Sequence, residues 1–225
     1  MNITPDAIVY VQWGFFKLNA TIVFTWAVMA LLVGISLLLT RGLSSGRKMT
    51  RAQAFLEMAV LKIRDQVRDL TGQEPKPFLP FVGTLFLFIS LSNLLEIVPK
   101  YHAPTGSLSV TAALAVCVFF AVPFFGIKKI GFLSYIKKYI QPSVVMLPFN
   151  LISEFSRTLA LAVRLFGNIM STSLLVAVLI TIVPLFVPIV MQALGLLIGQ
   201  IQAYIFAALA TVYIASATTK EETNG

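Results

Sequence analysis

The sequence predicts an all-α polytopic membrane protein. Five membrane segments are expected, the last two forming a long, steeply tilted antiparallel helical hairpin, with one amphipathic surface helix beside them. Three observations carry this. Hydrophobic residues make up 58% of the chain and charged residues 12%, with mean hydropathy +0.89, a balance that soluble domains do not show. The apolar residues fall into five runs, each long enough to cross a bilayer as helix, which takes ~20 residues. The basic residues concentrate in two connections that fall on one side, the signature of membrane orientation. Residues 1–225 read as one integral membrane domain, with segments at about 18–39, 78–98, 108–126, 148–183 and 188–217 and the surface helix at about 50–70.

Residues 1–17 hold Trp13, Phe15 and Phe16, side chains suited to a membrane interface. Asp6 comes early and no basic stretch opens the chain, so a mature start without a cleavable signal is expected. Leu18 to Leu39 is an uncharged apolar run, closed by Arg41 and Gly42. Residues 40–76 then carry eight basic residues (Arg41, Arg47, Lys48, Arg51, Lys62, Arg64, Arg68, Lys76) against four acids (Glu57, Asp65, Asp69, Glu74). The positive-inside rule places this connection in the cytoplasm and the N-terminus outside. Within it, Thr50 to Gln53 reads as a capping box. Ala52, Phe55, Leu56, Ala59, Ile63, Val67 and Leu70 share one helical face. A helix lying on the membrane surface explains that face most simply; a docking helix for a partner subunit is the alternative.

Pro75, Pro77 and Pro80 lead into the second segment, Phe81 to Val98, whose outer half carries Ser90, Ser92, Asn93 and Glu96. Asn93 and Glu96 stand three apart, on one face. Lys100 to Ser107 is a short outer loop, and Leu108 to Gly126 returns inward. The next connection holds Lys128, Lys129, Lys137 and Lys138 without an acid, so it too is placed in the cytoplasm. Pro148 opens an apolar segment running to Val183, which as one helix would measure ~52 Å. Against a hydrocarbon core of ~30 Å it must lie roughly 55° from the normal, where most spans tilt about 20°. Pro184 and Pro188 make the turn. The last segment, to about Ala217, is again too long to stand upright. Gly195, Gly199, Ala203 and Ala207 form a small-residue ridge that admits a second helix closely, and Gln202 lies on the adjoining line. Lys220, Glu221 and Glu222 end the chain on the cytoplasmic side.

One charge stands out. Arg164 lies inside an apolar run in which no acid occurs between Glu154 and Glu221. A charge at the bilayer centre costs about 3 kcal/mol on insertion scales, so one that is retained is functional by default. The plainer account is that Arg164 snorkels or pairs with a carboxylate for packing alone. Asn168 follows four residues later on the same face, and Ser171 and Thr172 extend the polar stripe. Arg157 precedes Arg164 by two turns. Counted from the turn near Phe186, Gln202 and Arg164 fall at comparable depth.

The segment Arg164-Leu-Phe-Gly-Asn168, preceded by Asn150-Leu-Ile-Ser-Glu154, resembles subunit a of the F-type ATP synthases. Ile201-Gln-Ala-Tyr-Ile-Phe206 and Thr211-Val-Tyr-Ile214 resemble that family's last helix. Leu91-Ser-Asn-Leu-Leu-Glu-Ile-Val-Pro99 and Pro104-Thr-Gly-Ser-Leu-Ser-Val-Thr111 are similar to its second and third spans. The likeness covers about Phe78 to Ser216. It implies a stator in a bacterial inner membrane that works against a ring of c subunits, each carrying an ion-binding carboxylate. The b subunits of the peripheral stalk, the other synthase subunits and the lipid bilayer complete the expected partners. The resemblance implies that Arg164 is the essential cation. Asn93, Glu96, Ser107, Asn168, Ser173 and Gln202 would line or adjoin the outer half-channel, and Glu154 and Arg157 would lie near the inner one. Glu96 on residue pattern alone could equally be an interface carboxylate without a role.

The sequence departs from the family's commonest pattern at three places. Ser173 stands where a glutamate often sits, Gly195 where a histidine or glutamate often sits, and Ser107 replaces a frequent aspartate. Hydroxyls and amides remain, which can hold a water wire for protons or coordinate a partly hydrated cation. Protons are the expected ion and sodium the alternative, the latter being associated with the atypical N-type group that these departures resemble.

Other classes fit less well. The single His102 and single Cys117 support neither a metal site nor an internal disulfide, and no cofactor is expected. The net charge of +8 is gathered in loops rather than spread as a nucleic-acid stripe. No Gly-x4-Gly-Lys-Ser/Thr phosphate loop occurs, so the chain is not expected to be catalytic alone. An independent channel or secondary transporter remains the rival class, but the internal repeats usual in transporters are not seen. An intramembrane enzyme would need a catalytic constellation that is missing here.

Overall fold

The computed structural model describes residues 9–13, 16–40, 58, 61, 63–69, 77–98, 101–140, 145–182 and 187–218. Among the described residues, six helices with defined bounds follow a short hairpin, and residues 63–69 are helical as well. The hairpin pairs β1 (Val9–Trp13) antiparallel with β2 (Phe16–Asn19), Trp13 opposite Phe16 and Val9 opposite Asn19. Trp13 and Phe16, expected to sit at the interface, therefore belong to paired strands, which suits aromatic propensity, while Phe15 lies outside the described residues. As a result the first span starts at Ala20 rather than Leu18, and α1 runs Ala20–Thr40.

Helix α2 (Leu79–Leu94) opens with Pro80 in its first turn, where the missing N–H costs nothing. It closes in a 3-10 turn, Leu95–Ile97. A second 3-10 turn, Pro104–Gly106, precedes α3 (Leu108–Ile130). The sequence placed the end of this span at Gly126 and its lysines in a loop. Instead the helix continues to Ile130, with Lys128 and Lys129 in its last turn, where cations complement the helix dipole. Gly131 stops it, at φ +86°, with its N–H on the Ile127 carbonyl at 2.9 Å. Lys137 and Lys138 belong to a further helix, α4 (Phe132–Ile140).

Helices α5 (Met146–Ile182) and α6 (Val187–Thr218) hold 37 and 32 residues. At 1.5 Å per residue α5 is ~55 Å long, nearly twice the ~30 Å core, so the two cannot both stand upright in a bilayer. Among the described residues, five helices are long and apolar enough to cross a membrane. Helix α6 is the hub, packed against α2, α3 and α5. Ile89 of α2, Val118 of α3, Leu165 of α5 and Phe206, Ala210 and Ile214 of α6 form the buried centre.

Residues 63–69 of the expected surface helix are helical. They lean on the bundle: Val67 is buried, and Gln66 Nε2 donates to the Tyr204 hydroxyl at 2.9 Å. The capping box Thr50 to Gln53 and most of the rest of 50–70 lie outside the described residues, as do Pro184 and the tail with Lys220, Glu221 and Glu222.

Candidate functional site

Helix α5 has two unlike faces. Leu161, Leu165 and Ile169 point into the bundle. Ser156, Ala160, Arg164, Gly167 and Ser171, at helical spacing, are exposed along its length. An added Cβ on Gly167 would meet nothing within 4 Å, so this side is open. Arg164 is the central residue of α5. No hydrogen bond or ion pair involves its guanidinium among the described residues.

The register between α5 and α6 is fixed by one close approach. A Cβ on Gly195 would lie 2.5 Å from Thr172 Cγ2, so any larger residue would force Thr172 to shift. Counting from that contact, eight residues back along α5 reach Arg164 and seven forward along α6 reach Gln202. The helices are antiparallel, so the two residues stand at nearly one level. Farther along, the Arg157 guanidinium lies 5.5 Å from the centre of the Tyr213 ring, a cation–π contact that holds the same register. Gln202 is buried to 4% exposure, and its Nε2 has no hydrogen-bond partner.

Toward the end of the bundle where α6 begins, polar groups form a seam between α2 and α6. Ser90 Oγ donates to Gln200 Oε1, and Gln200 Nε2 donates back to the Ser90 carbonyl at 2.9 Å. Asn93, 1% exposed, donates from Nδ2 to the Gly199 carbonyl at 2.8 Å and accepts from Thr105 Oγ1 at 2.8 Å. One side chain thereby ties α2, α6 and the Pro104–Gly106 turn together. Gln192 Nε2 reaches the Glu96 carbonyl oxygen at 3.3 Å. Ser107 is fully buried, and its hydroxyl donates to Ser109 Oγ at 3.2 Å. The same turn touches α5, since a Cβ on Gly106 would lie 3.3 Å from Ile169 Cγ2. That brings Ser107 and Asn93 toward the level of the half-buried Asn168, whose carbonyl accepts from Thr172 Oγ1 at 3.0 Å. Ser173 is half-buried one residue on.

Glu154 and Arg157 lie on the other side of Arg164, toward the start of α5. Thr158 Oγ1 donates to the Glu154 carbonyl at 3.0 Å. The sequence-selected residues thus divide into two groups flanking the central arginine, and the structure does not bring the groups together. No cluster of three His, Cys, Asp or Glu side chains that could hold a metal occurs among the described residues.

Sequence reasoning passed over Gln192, Gln200, Thr105 and Tyr101. The two glutamines stand eight apart on α6 and face Ser90, Asn93 and Glu96 at spacing three, so matching polar stripes were available as a signal. Tyr101 gave none: its position in a short loop hides a buried phenol. Burial pushes that phenol's pKa up, nearby Glu96 adds to the effect, and the approaching Ser92 hydroxyl opposes it. Both hydroxyl oxygens are buried without a partner among the described residues.

Comparison with known proteins decides the family. The model of the family described as ATP synthase A chain matches residues 22–215. The chain belongs to this family. It is 62% identical over 216 residues to ATP synthase subunit a 1 of Crocosphaera subtropica, covering 96% of this chain and 94% of that one. It is 55% identical to ATP synthase subunit a 2 of Acaryochloris marina, covering 100% and 96%. It is 57% identical to ATP synthase subunit a of Albidiferax ferrireducens, covering 97% and 94%. As an ATP synthase subunit a, the chain is a multi-pass membrane subunit of that complex. Thr172 packs directly on Gly195, so the glycine lets α5 and α6 approach closely at this point.

Proposed function

We propose that this subunit is the stator half of a rotary ion path, with Arg164 as its fixed cation and protons as the ion. The observation that carries the proposal is an unpaired arginine at the centre of an open helix face, with polar groups displaced to either side along the hairpin. An unpaired charge in hydrocarbon is costly, so its partner must come from outside the chain. A carboxylate on each subunit of a c-ring sliding past that face answers the need. Near Arg164 the charged form of such a carboxylate is favoured, so it releases its ion. It cannot carry a bare charge into lipid and must reload before it leaves.

Two half-channels would serve this exchange. Asn93, Glu96, Ser107, Asn168, Ser173 and Gln202 belong to the outer one, and Glu154 and Arg157 to the inner one. Arg164 stands between them as a positive barrier against a direct leak. The buried, unpartnered atoms Gln202 Nε2, Ser92 Oγ and Tyr101 OH suit a water-bearing outer path. The field supplies about 2.3 kcal/mol per charge per 100 mV. Sodium as the ion is the second reading, favoured by the uncharged Ser107, Ser173 and Gly195. The b subunits of the peripheral stalk would hold the stator still, with the N-terminus outside and the C-terminus in the cytoplasm. An independent channel is disfavoured by the same open face, which leaves the path without one wall.

The test is Arg164→Ala in the whole complex, reconstituted in vesicles. Assembly is expected to survive, because removing a charge also removes its desolvation cost. ATP synthesis under an imposed gradient and ATP-driven pumping should both stop. Arg164→Lys should also be poor, since lysine lacks the guanidinium fork and can lose its proton when buried. An assembled Arg164→Ala complex that makes ATP near the wild-type rate refutes the proposal.

A further inference from the structure

Two arginines share the open side of α5. Arg157 and Arg164 are both exposed. Seven residues of helix separate them by ~10.5 Å along the axis and only about 20° around it. Ala160, small and also exposed, stands between them on that stripe. Like charges this close repel, and each is costly in hydrocarbon, so the pair calls for an anion between them. The chain does not provide one. Glu154, one turn before Arg157, makes no ion pair with either arginine. The charges of α3 and α4, which pack against α5, are all lysines: Lys128, Lys129, Lys137 and Lys138. Helix α6 carries no charge, and its titratable groups are Tyr204 and Tyr213.

What α6 brings to Arg157 is an aromatic face. Tyr213 is half-buried and packed against the core cluster, and the centre of its ring lies 5.5 Å from Arg157 Cζ. The ring attracts the guanidinium through its quadrupole and takes up none of its N–H groups. Among the described residues no hydrogen bond or ion pair spends a donor of Arg157. The cation is therefore held in place with its donors still available, on the same stripe as Arg164.

We propose that Tyr213 is a positioning residue. It holds the Arg157 guanidinium at the edge of the open stripe, so that a c-subunit carboxylate on the cytoplasmic side of Arg164 meets a second cation and gives up its proton toward the cytoplasm. This rests on the stator reading above, which supplies the carboxylate and the proton. A carboxylate at Arg164 lies ~10 Å from Arg157. At that distance and an effective dielectric of ~20, one unit charge moves a titration by about one pH unit. The cation favours the charged form, so removing it leaves the carboxylate protonated to higher pH. Release to the cytoplasm becomes harder and uptake from that side easier. Synthesis and pumping then respond in opposite senses, which general damage to the subunit does not produce. The lysines of α3 and α4 are constant across the variants, so the shift reads Arg157 alone.

The experiment uses the intact ATP synthase complex in vesicles. The cytoplasmic-side pH is varied while the pH of the other side and the total driving force are held constant, and each variant is compared with the wild type. In Arg157→Gln the synthesis profile should move to alkaline pH by about one unit, with synthesis down about tenfold on its acidic flank. ATP-driven pumping should extend to alkaline pH by the same amount. Arg157→Lys keeps the charge at this exposed position and should recover most of the shift. Tyr213→Leu should give a smaller alkaline shift, since the freed guanidinium can snorkel away. Tyr213→Phe keeps an aromatic face and should shift less than Tyr213→Leu. That pair keeps the test decisive where Arg157→Gln fails to assemble. The proposal is overturned by Arg157→Gln profiles that coincide with the wild type, by synthesis and pumping that fall together without a shift, or by Tyr213→Leu behaving as Tyr213→Phe does. Arg164→Ala, run beside them, separates the two claims. If it stays inactive, such a result sinks this inference alone; if it makes ATP, the stator reading itself fails.

Discussion

Replacing Gly195 with alanine tests the hairpin register that sets Arg164 and Gln202 at one level. The new methyl would lie 2.5 Å from Thr172 Cγ2, whereas carbon atoms in contact sit ~3.5–4.0 Å apart. Threonine in a helix is stiff at χ1, so its methyl cannot swing aside freely. Rotating it away would also disturb the bond from Oγ1 to the Asn168 carbonyl at 3.0 Å, worth about 1 kcal/mol. Overpacking of this kind costs ~1–3 kcal/mol. Alanine returns ~1 kcal/mol through its helix propensity, leaving a net loss of roughly 0–2 kcal/mol by these magnitudes. Thr172→Ser removes Cγ2 and keeps the hydroxyl. The remaining neighbours of the new methyl, Thr172 Cβ at 3.7 Å and Oγ1 at 3.9 Å, are ordinary contacts. In that background Gly195→Ala should be neutral or stabilising. The double-mutant cycle should therefore show a coupling of about 2 kcal/mol, read from SDS-induced dissociation of the intact complex. ATP synthesis in vesicles should fall in the single variant and return in the double. Additivity of the two substitutions, within about 0.5 kcal/mol, would refute the register argued here.

Three further outcomes are expected. Gln200→Leu removes both bonds to Ser90 and should lower stability by about 1 kcal/mol, near the typical value for interhelical bonds in membranes, while Ser90→Ala should cost less because the Gln200 amide keeps the Ser90 carbonyl. Cysteines introduced singly at Ser44 and Ser134 should label only from the cytoplasmic face of intact cells, and labelling from outside would overturn the orientation. Millimolar sodium at alkaline pH should leave ATP hydrolysis by the complex unchanged and give the ring carboxylate no protection from carbodiimide; stimulation together with protection would favour sodium over protons.

The five spanning helices were legible because they rest on local signals of apolar length with proline or glycine near their ends, whereas α4 was read as a loop from its lysines. The hairpin Val9–Trp13 with Phe16–Asn19 was missed because strand pairing in an aromatic stretch looks, residue by residue, like interface anchoring. The end of α3 was misplaced because lysines were taken for a loop, whereas in a last helical turn they face water and stabilise the helix end. Arg164 was legible because a charge without an acid nearby contradicts its surroundings. Gln200 was not, because a neutral amide becomes informative only when Ser90 is known to face it. Gly195 was legible as part of a small-residue ridge that admits a second helix closely, but the side chain that comes close there was not. Its physical reason, the Thr172 methyl on the facing helix, depends on a contact that sequence spacing does not reveal.

The polar groups of this bundle follow two rules. Most of those between α2 and α6 are closed on one another, Ser90 with Gln200 and Asn93 with Gly199 and Thr105, while Ser92 Oγ and Gln202 Nε2 stay without a partner. In hydrocarbon such closure is required, since no water stands ready to take a spare donor. Arg164 breaks the rule, with five donors on an open face and no partner in the chain among the described residues. If the fold had needed the charge for cohesion, an acid on α2, α3 or α6 could have been placed against it, as the amides are placed against each other. A permanent internal carboxylate would satisfy Arg164 and thereby silence it, because a neutralised arginine cannot bias an incoming carboxylate toward its charged form. This gives the stator proposal a sharper consequence than loss of function alone. An aspartate introduced at Ala160, one turn before Arg164 on the same exposed face, should pair with the arginine within α5. Ala160→Asp should then assemble yet lose coupled ATP synthesis, whereas Ala160→Asn, nearly equal in size and uncharged, should keep much of it. Equal activity of the two variants, both assembled, would show that the unpaired charge is not what Arg164 contributes.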